Sequence, residues 1–272
     1  MLYIELGIYG GVVLLFVIFA IAAPLIAPNN PTEPHLNSVL QSSSSQFPLG
    51  TDRLGRCILS RIIYGSRITV IVAACVLSAS VFIGVAIGVL SGLCGGIIDS
   101  ILMRITDTFL AFPGILLALA IVSFSGGGAL GVIIALTAME WVKYARLVRG
   151  CILDLKERDF IVAAEGLGTG RMRIITHYYL PSIIMKIVPL ISLSVAGIVL
   201  ATSGFSFIGI GIEPSIPEWG LMIAESKDYI RSAPLMIVYP GIALFLFVMA
   251  LNLLGDLLER FRERPAYYQS IE

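Results

Sequence analysis

The sequence predicts an all-α polytopic membrane protein of about six transmembrane helices. Composition is the first reason. Of 272 residues, 57% are hydrophobic and only 13% charged, where a soluble domain carries roughly a quarter charged. Mean hydropathy is +0.95. The second reason is clustering: the apolar residues form six blocks, at 6–27, 68–92, 105–124, 130–148, 183–207 and 233–254. Each is near the ~20 residues that cross a bilayer as a helix. The third is the character of what separates them, which is polar, Pro- and Gly-rich or charged.

The first block follows a start, MLYIEL, without Lys or Arg. Its apolar run is longer than a signal-peptide core, so it reads as a retained span, with a cleaved signal as the lesser alternative. Residues 28–49 (NNPTEP, then QSSSSQ) read as an irregular exposed linker. Only Ser125-Gly126-Gly127-Gly128-Ala129 divides the third block from the fourth, which predicts a tight turn between antiparallel helices. The longest charged connection runs from 150 to 181. The organisation expected is a first span and outer loop over 1–67, a membrane core over 68–256, and a charged tail over 257–272.

Basic residues set the orientation. The side holding both termini, with the loops at 93–104 and 149–182 and their adjoining ends, carries twelve Lys and Arg. The other side carries six, among them Arg53, Arg56, Arg61 and Arg67. Both termini are therefore expected in the cytoplasm.

Several function classes are excluded. Net charge is zero, so no broad basic surface addresses nucleic acid. No GxxxxGK[ST], HExxH or GxSxG occurs. Cys57, Cys75, Cys94 and Cys151 lack metal-ligand spacing, and His35 and His177 are the sole histidines, so no metal site is expected. Cys75 reads as a small buried hydrophobe.

The segment 156–181, KERDFIVAAEGLGTGRMRIITHYYLP, is the most informative. Phe160, Ala163, Ala164 and Leu167 recur at helical spacing, predicting a short amphipathic helix. Gly166, Gly168 and Gly170 turn the chain, and Pro181 starts the next span. Two small helices on a membrane face suit a groove in a partner, or serve only to join two spans.

Val162-Ala163-Ala164, three residues, Gly168, nine residues, Tyr178, one residue and Leu180-Pro181 resemble the EAA loop of ABC-importer permeases. Val162 stands for that motif's Glu and Tyr178 for its Ile. Pro48-Leu49-Gly50-Thr51-Asp52-Arg53-Leu54-Gly55-Arg56, Ser60-Arg61 and Tyr64-Gly65 resemble the dipeptide, oligopeptide and nickel permeases, although Cys57 replaces their usual Asp. Asp99, Met103-Arg104, Asp107, Phe112-Pro113, Tyr144–Arg149, Ser206–Gly211, Trp219-Gly220 and Asn252–Asp256 extend the resemblance over 48–256.

The resemblance implies a type I ABC importer permease fold with a cytoplasmic coupling-helix loop at 156–181. Its coupling residues would be Ala163, Ala164, Glu165, Gly168, Leu180 and Pro181. It implies a second homologous permease forming a heterodimer, two cytoplasmic ABC ATPase subunits that use ATP and Mg, and an extracytoplasmic substrate-binding protein. The chain itself would bind no cofactor and catalyse no covalent step, in a multi-pass inner-membrane location within the lipid bilayer. Gly204–Phe207 and Glu218–Ile223 are more similar to nickel-type members, and Thr202 stands where peptide-type members carry Glu. The expected solute is thus nickel or a metal chelate, ahead of di- or oligopeptides. A stand-alone secondary transporter is the alternative. It requires coupling-ion residues at mid-membrane and often internal repeats, and the chain shows no convincing repeat and few deep charges.

Ionisable groups near the spans are candidates for a solute path: Glu140 and Asp107, with the uncharged Thr202 and Ser203. Each has a plain structural reading beside the functional one. Asp107 is three residues from Arg104 and suited to pair with it. Glu140 with Trp141 and Lys143 resembles an interfacial belt. Thr202 and Ser203 suit hydrogen bonding between helices.

Overall fold

A computed structural model describes the backbone of residues 2–269 and the side chains of residues 4–260. Among the described residues ten α-helices follow in order: α1 (Leu2–Ile26), α2 (Ile58–Cys94), α3 (Gly96–Ala111), α4 (Gly114–Phe124), α5 (Gly128–Lys156), α6 (Asp159–Gly166), α7 (Arg171–Ile174), α8 (Leu180–Ile208), α9 (Trp219–Ser226) and α10 (Leu235–Gln269). The β pairing among the described residues is one isolated bridge, Thr51 to Cys57. Five segments are long and apolar enough to cross a membrane: α1, α2, α5, the run from Arg171 to Ile208, and α10.

The sixth candidate is bent, in the manner of a broken span or a re-entrant segment. The block read at 105–124 is two helices, α3 and α4, bent by 91°. Pro113 has no N–H to donate, and it holds the residue before it out of the helical region. Phe112 is accordingly extended, at φ −83° and ψ 139°. The turn expected at the glycines is present: Gly126, Gly127 and Gly128 all have positive φ, and α5 starts immediately after.

Helices outrun their apolar blocks. Helix α2 begins at Ile58, ten residues before the block at 68, because its amphipathic first turns are covered by protein. Pro181 does not start a span. The helix entering at Arg171 runs through a π-helical stretch at Ile175–Tyr179 into α8 without a break. A π turn is wider than an α turn and relieves the clash of a proline ring with the preceding carbonyls.

Helices α2 and α5 make the closest pair. A Cβ on Gly84 would meet Trp141 O at 2.6 Å, and one on Gly88 would meet Ala145 O at 2.6 Å and Val148 Cβ at 2.7 Å. Glycines one turn apart let the two backbones approach this closely. On the same side Trp141 is buried and lies edge-on to Phe109, ring centroids 5.4 Å apart. It is a packing residue of the α3–α5 contact. Cys75 points away from the other helices and is exposed, contrary to the buried expectation, while Cys57 and Cys151 are buried.

Residues 28–57 are more ordered than a linker. Thr51 N donates to Gln41 O at 3.0 Å, His35 N to Leu54 O at 3.1 Å, and Asn29 N to Ser60 Oγ at 3.0 Å. Phe47 is buried beneath them. Beside this loop Trp219 joins four helices. It sits edge-on to Phe16 of α1 (5.6 Å) and Phe247 of α10 (5.8 Å), and donates Nε1–H to Ile62 O of α2 at 3.0 Å.

Candidate functional site

The segment between α5 and α8 shrinks to residues 157–170 once both helices are extended. Helix α6 occupies Asp159–Gly166, with Asp159 in its first turn, where a carboxylate suits the positive helix end. Its inward face is Ile161 and Ala164, three apart and both buried, and Ile161 clusters with Ile174, Tyr179, Ile183 and Tyr144. Of the expected apolar face Phe160, Ala163, Ala164 and Leu167, only Ala164 is buried and the other three point outward. Leu167 is 87% exposed and Met172 73%, with Phe160, Val162 and Tyr178 also exposed. Phe160 and Tyr178 lie against each other, centroids 5.8 Å apart. An apolar knob on a charged loop is thus presented to whatever lies beyond.

Gly168 ends this helix for a backbone reason. Thr169 N donates to Ala164 O at 3.0 Å and Gly168 N to Glu165 O at 2.9 Å. That pair of bonds is the Schellman closure, which needs a left-handed residue at the glycine position. Gly168 has φ +79°, and the space around it is open. Conformation, not room, requires the glycine. Of the other expected coupling residues, Ala163, Glu165, Leu180 and Pro181 are exposed and Ala164 is buried.

The expected path residues separate into two groups. Thr202 and Ser203 are buried within the chain on α8. Ser203 donates to Glu218 Oε1 at 2.8 Å, and the same carboxylate accepts from Gly220 N at 3.0 Å and Leu221 N at 2.8 Å. Glu218 thereby caps α9 and ties it to α8. Asp107 pairs with Arg146 of α5, not with Arg104, because α3 turns that face toward α5. Glu140 pairs with Lys143. A further rung, Asp99 with Arg149, is bidentate at 2.6 and 2.7 Å, and Ser91 also bonds to Asp99.

Sequence reading missed a buried charge network on the opposite end of the molecule. Asp52 accepts from Arg56 Nε at 2.7 Å and is bonded to Arg61. Glu225 of α9 accepts from Arg56 and Arg61, each at 2.9 Å. Asp52 Oδ1 also accepts from the N–H groups of Leu54 and Arg56. The one available signal is the density of Arg between 53 and 67, which taken alone speaks only to orientation. Among the described residues, no three His, Cys, Asp or Glu side chains gather as a metal-binding set.

A family described as the binding-protein-dependent transport system inner membrane component matches residues 84–264. The chain belongs to this family. The nickel transport system permease protein NikC of Escherichia coli K12 is 36% identical over 248 residues, 91% of this chain and 89% of that protein. The dipeptide transport system permease protein DppC of Alkalihalophilus pseudofirmus is 35% identical, across 93% of this chain and 83% of its own length. The glutathione transport system permease protein GsiD of Escherichia coli O6:K15:H31 is 40% identical, across 90% and 81%. Among solved structures, a chain of the inward-facing MetNI methionine ABC transporter superposes with a TM-score of 0.62 at 20% identity. It covers 75% of this chain and 97% of that one. The fold is therefore that of a type I ABC importer permease, and this multi-pass membrane protein is an ABC importer permease subunit.

Proposed function

We propose that residues 157–170, with the exposed start of the following helix, are the coupling segment through which ATPase subunits drive this permease. The outward apolar knob carries the reading: Phe160, Val162, Leu167, Met172 and Tyr178 are all exposed, and such a knob suits a hydrophobic groove. Helix α5 leads into the segment and an unbroken helix leads out of it into α8. A displacement of the knob thus moves two spans as levers. The bias of Lys and Arg supports a cytoplasmic location for this loop and both termini. The working assembly is a heterodimer with a second, similar permease, two ATPases consuming ATP with Mg, and an extracytoplasmic binding protein. In this assembly the chain performs no covalent chemistry. Asp107 and Glu140 are proposed to face the solute route.

For the solute, we propose nickel or a metal chelate ahead of di- or oligopeptides. The named relatives include nickel, dipeptide and glutathione permeases. Support for the nickel order lies in Gly204–Phe207 and Glu218–Ile223. Glu218, Trp219 and Gly220 also have packing roles here, so direct uptake of each solute class by the purified complex decides the order.

Coupling is tested at Gly168. Gly168→Arg places bulk and charge on the knob and should abolish solute-stimulated ATP hydrolysis or ATPase assembly while membrane insertion persists. Gly168→Asn, which tolerates left-handed backbone at a cost of about 1 kcal/mol or less, should retain coupling. Undiminished uptake by Gly168→Arg would rule out the coupling role.

A further inference from the structure

A cleft of about 380 Å³ opens beside the buried charge network, between the end of α8, helix α9 and Arg53. Glu225 forms part of its wall and is itself 8% exposed. Glu225 Oε2 accepts from Arg56 and Arg61, each at 2.9 Å. Among the described residues Oε1 has Arg53 alone, through one Nη2 contact at 3.3 Å. Arg53 is 41% exposed, and a guanidinium held by one nitrogen keeps donors for a second acceptor. The network also carries one positive charge in excess, since Arg53, Arg56 and Arg61 face Asp52 and Glu225. Lys227 and Asp228 on the rim offset each other. Arg56 and Arg61 are buried against the carboxylates, so the excess charge faces outward at Arg53.

Apolar side chains frame this charge. Phe207 and Ile208, at the end of α8, line the same cleft with Pro214, and all three are exposed. An arginine framed by aromatic and aliphatic side chains is the make-up of a protein–protein contact. The floor is closed. Ser206 and Leu221 are buried there, and one turn earlier in α8 Ser203 bonds to Glu218 and ties α8 to α9. A solute entering between these two helices has no onward path, whereas a side chain reaching in from a partner needs none. The cleft also lies far from the coupling segment. Arg61 and Leu93 are 32 residues apart in α2, about 48 Å along its axis. At the far end Arg171, next to Met172 of the knob, donates to Leu93 O at 3.3 Å. A hydrocarbon core is about 30 Å thick, so a spanning α2 puts the two ends on opposite sides. With the knob at the ATPases, the cleft is extracytoplasmic.

We propose that this cleft is a docking point for the extracytoplasmic binding protein, receiving an acidic side chain of that protein on Arg53 and Lys227 while Phe207 and Ile208 pack around it. Charge pairing of this kind sets encounter rate and register more than raw affinity. This inference rests on the permease reading above.

The test uses the full transporter complex in lipid nanodiscs, with the binding protein that stimulates ATP hydrolysis by the unmodified complex. A benzophenone amino acid placed at Ile208 or at Lys227 should cross-link to that protein on irradiation. The same group at Phe82, exposed on α2 outside the cleft, should not. Arg53→Glu combined with Lys227→Glu should raise the concentration of binding protein needed for half-maximal stimulation at least about tenfold. In the unmodified complex that concentration should also rise with NaCl, and the reversed variant should lose the rise. Lys227 is exposed and makes no ion pair among the described residues, so Lys227→Glu alone should shift the value in the same direction even if the double variant does not fold. Cross-links that reach the second permease alone, or no protein at all, would overturn the docking site. So would a half-maximal concentration in Lys227→Glu equal to that of the unmodified complex. In either case stimulation by the binding protein keeps the permease reading standing, whereas absence of ATPase, or of any binding protein that stimulates it, would remove both.

Discussion

Glu218 shows what a single side chain does in this fold. Its carboxylate is fully buried and accepts three hydrogen bonds, two from the first turn of α9 and one from Ser203 of α8. Removing it leaves two buried backbone donors and a hydroxyl without an acceptor. Glu218→Ala should therefore destabilise the purified protein by about 1–3 kcal/mol, read as a lowered unfolding midpoint in detergent. A midpoint equal to the parent's would mean that α9 is held by its aromatic contacts alone. At this scale legibility was uneven. Gly168 was readable because its spacing within a local motif coincides with the left-handed closure of α6. Asp107 was not, since the Arg104 three residues away competes in sequence with Arg146, 39 residues away. Local spacing pointed to the nearer partner, and the orientation of α3 chose the farther one.

Among the elements, α2 and α5 form the closest pair. Close approach in the pair depends on Gly84 and Gly88, whose missing Cβ atoms leave room for Trp141, Ala145 and Val148 of α5. Gly88→Leu should force the helices apart, at a cost of at least about 1–3 kcal/mol, and lower the yield of folded protein in membranes. Gly197 of α8, where a Cβ would meet nothing within 4 Å, provides the matched control: Gly197→Leu should leave yield near the parent's. Equal yields from both variants would contradict the packing argument. The existence of these spans was plain in the sequence, because a run of about 20 apolar residues has few other stable fates. Their ends were not. Helix α2 starts ten residues before its apolar block, since its first turns carry Arg61 and Ser66, polar residues buried against protein, where Arg61 Nη1 bonds to Asp52 and Glu225 and Ser66 to Ile63 O.

For the molecule as a whole, the charges at the loop end act as a clamp. Asp52, Arg56 and Arg61 belong to the loop and start of α2, while Glu225 comes from α9, more than 160 residues later. Arg61 is almost wholly buried between the two carboxylates. Arg61→Ala leaves them facing each other with Arg56 between them and the more exposed Arg53 on Glu225, and should cost about 3–5 kcal/mol. Limited proteolysis should then cut within residues 28–57 much faster than in the parent, and a digestion rate like the parent's would refute the clamp. Composition, apolar blocks and the motif at 162–181 were enough to determine a many-span permease with a charged, glycine-turned loop, because hydrophobic length and local backbone geometry are properties of contiguous sequence. Only the tertiary structure decided which polar groups meet: Arg146 with Asp107, Arg61 with Glu225, Ser203 with Glu218. The physical reason is that an ion pair or a buried hydrogen bond depends on distances between helices, and those distances are set by how glycines, a proline break and aromatic contacts let the spans pack.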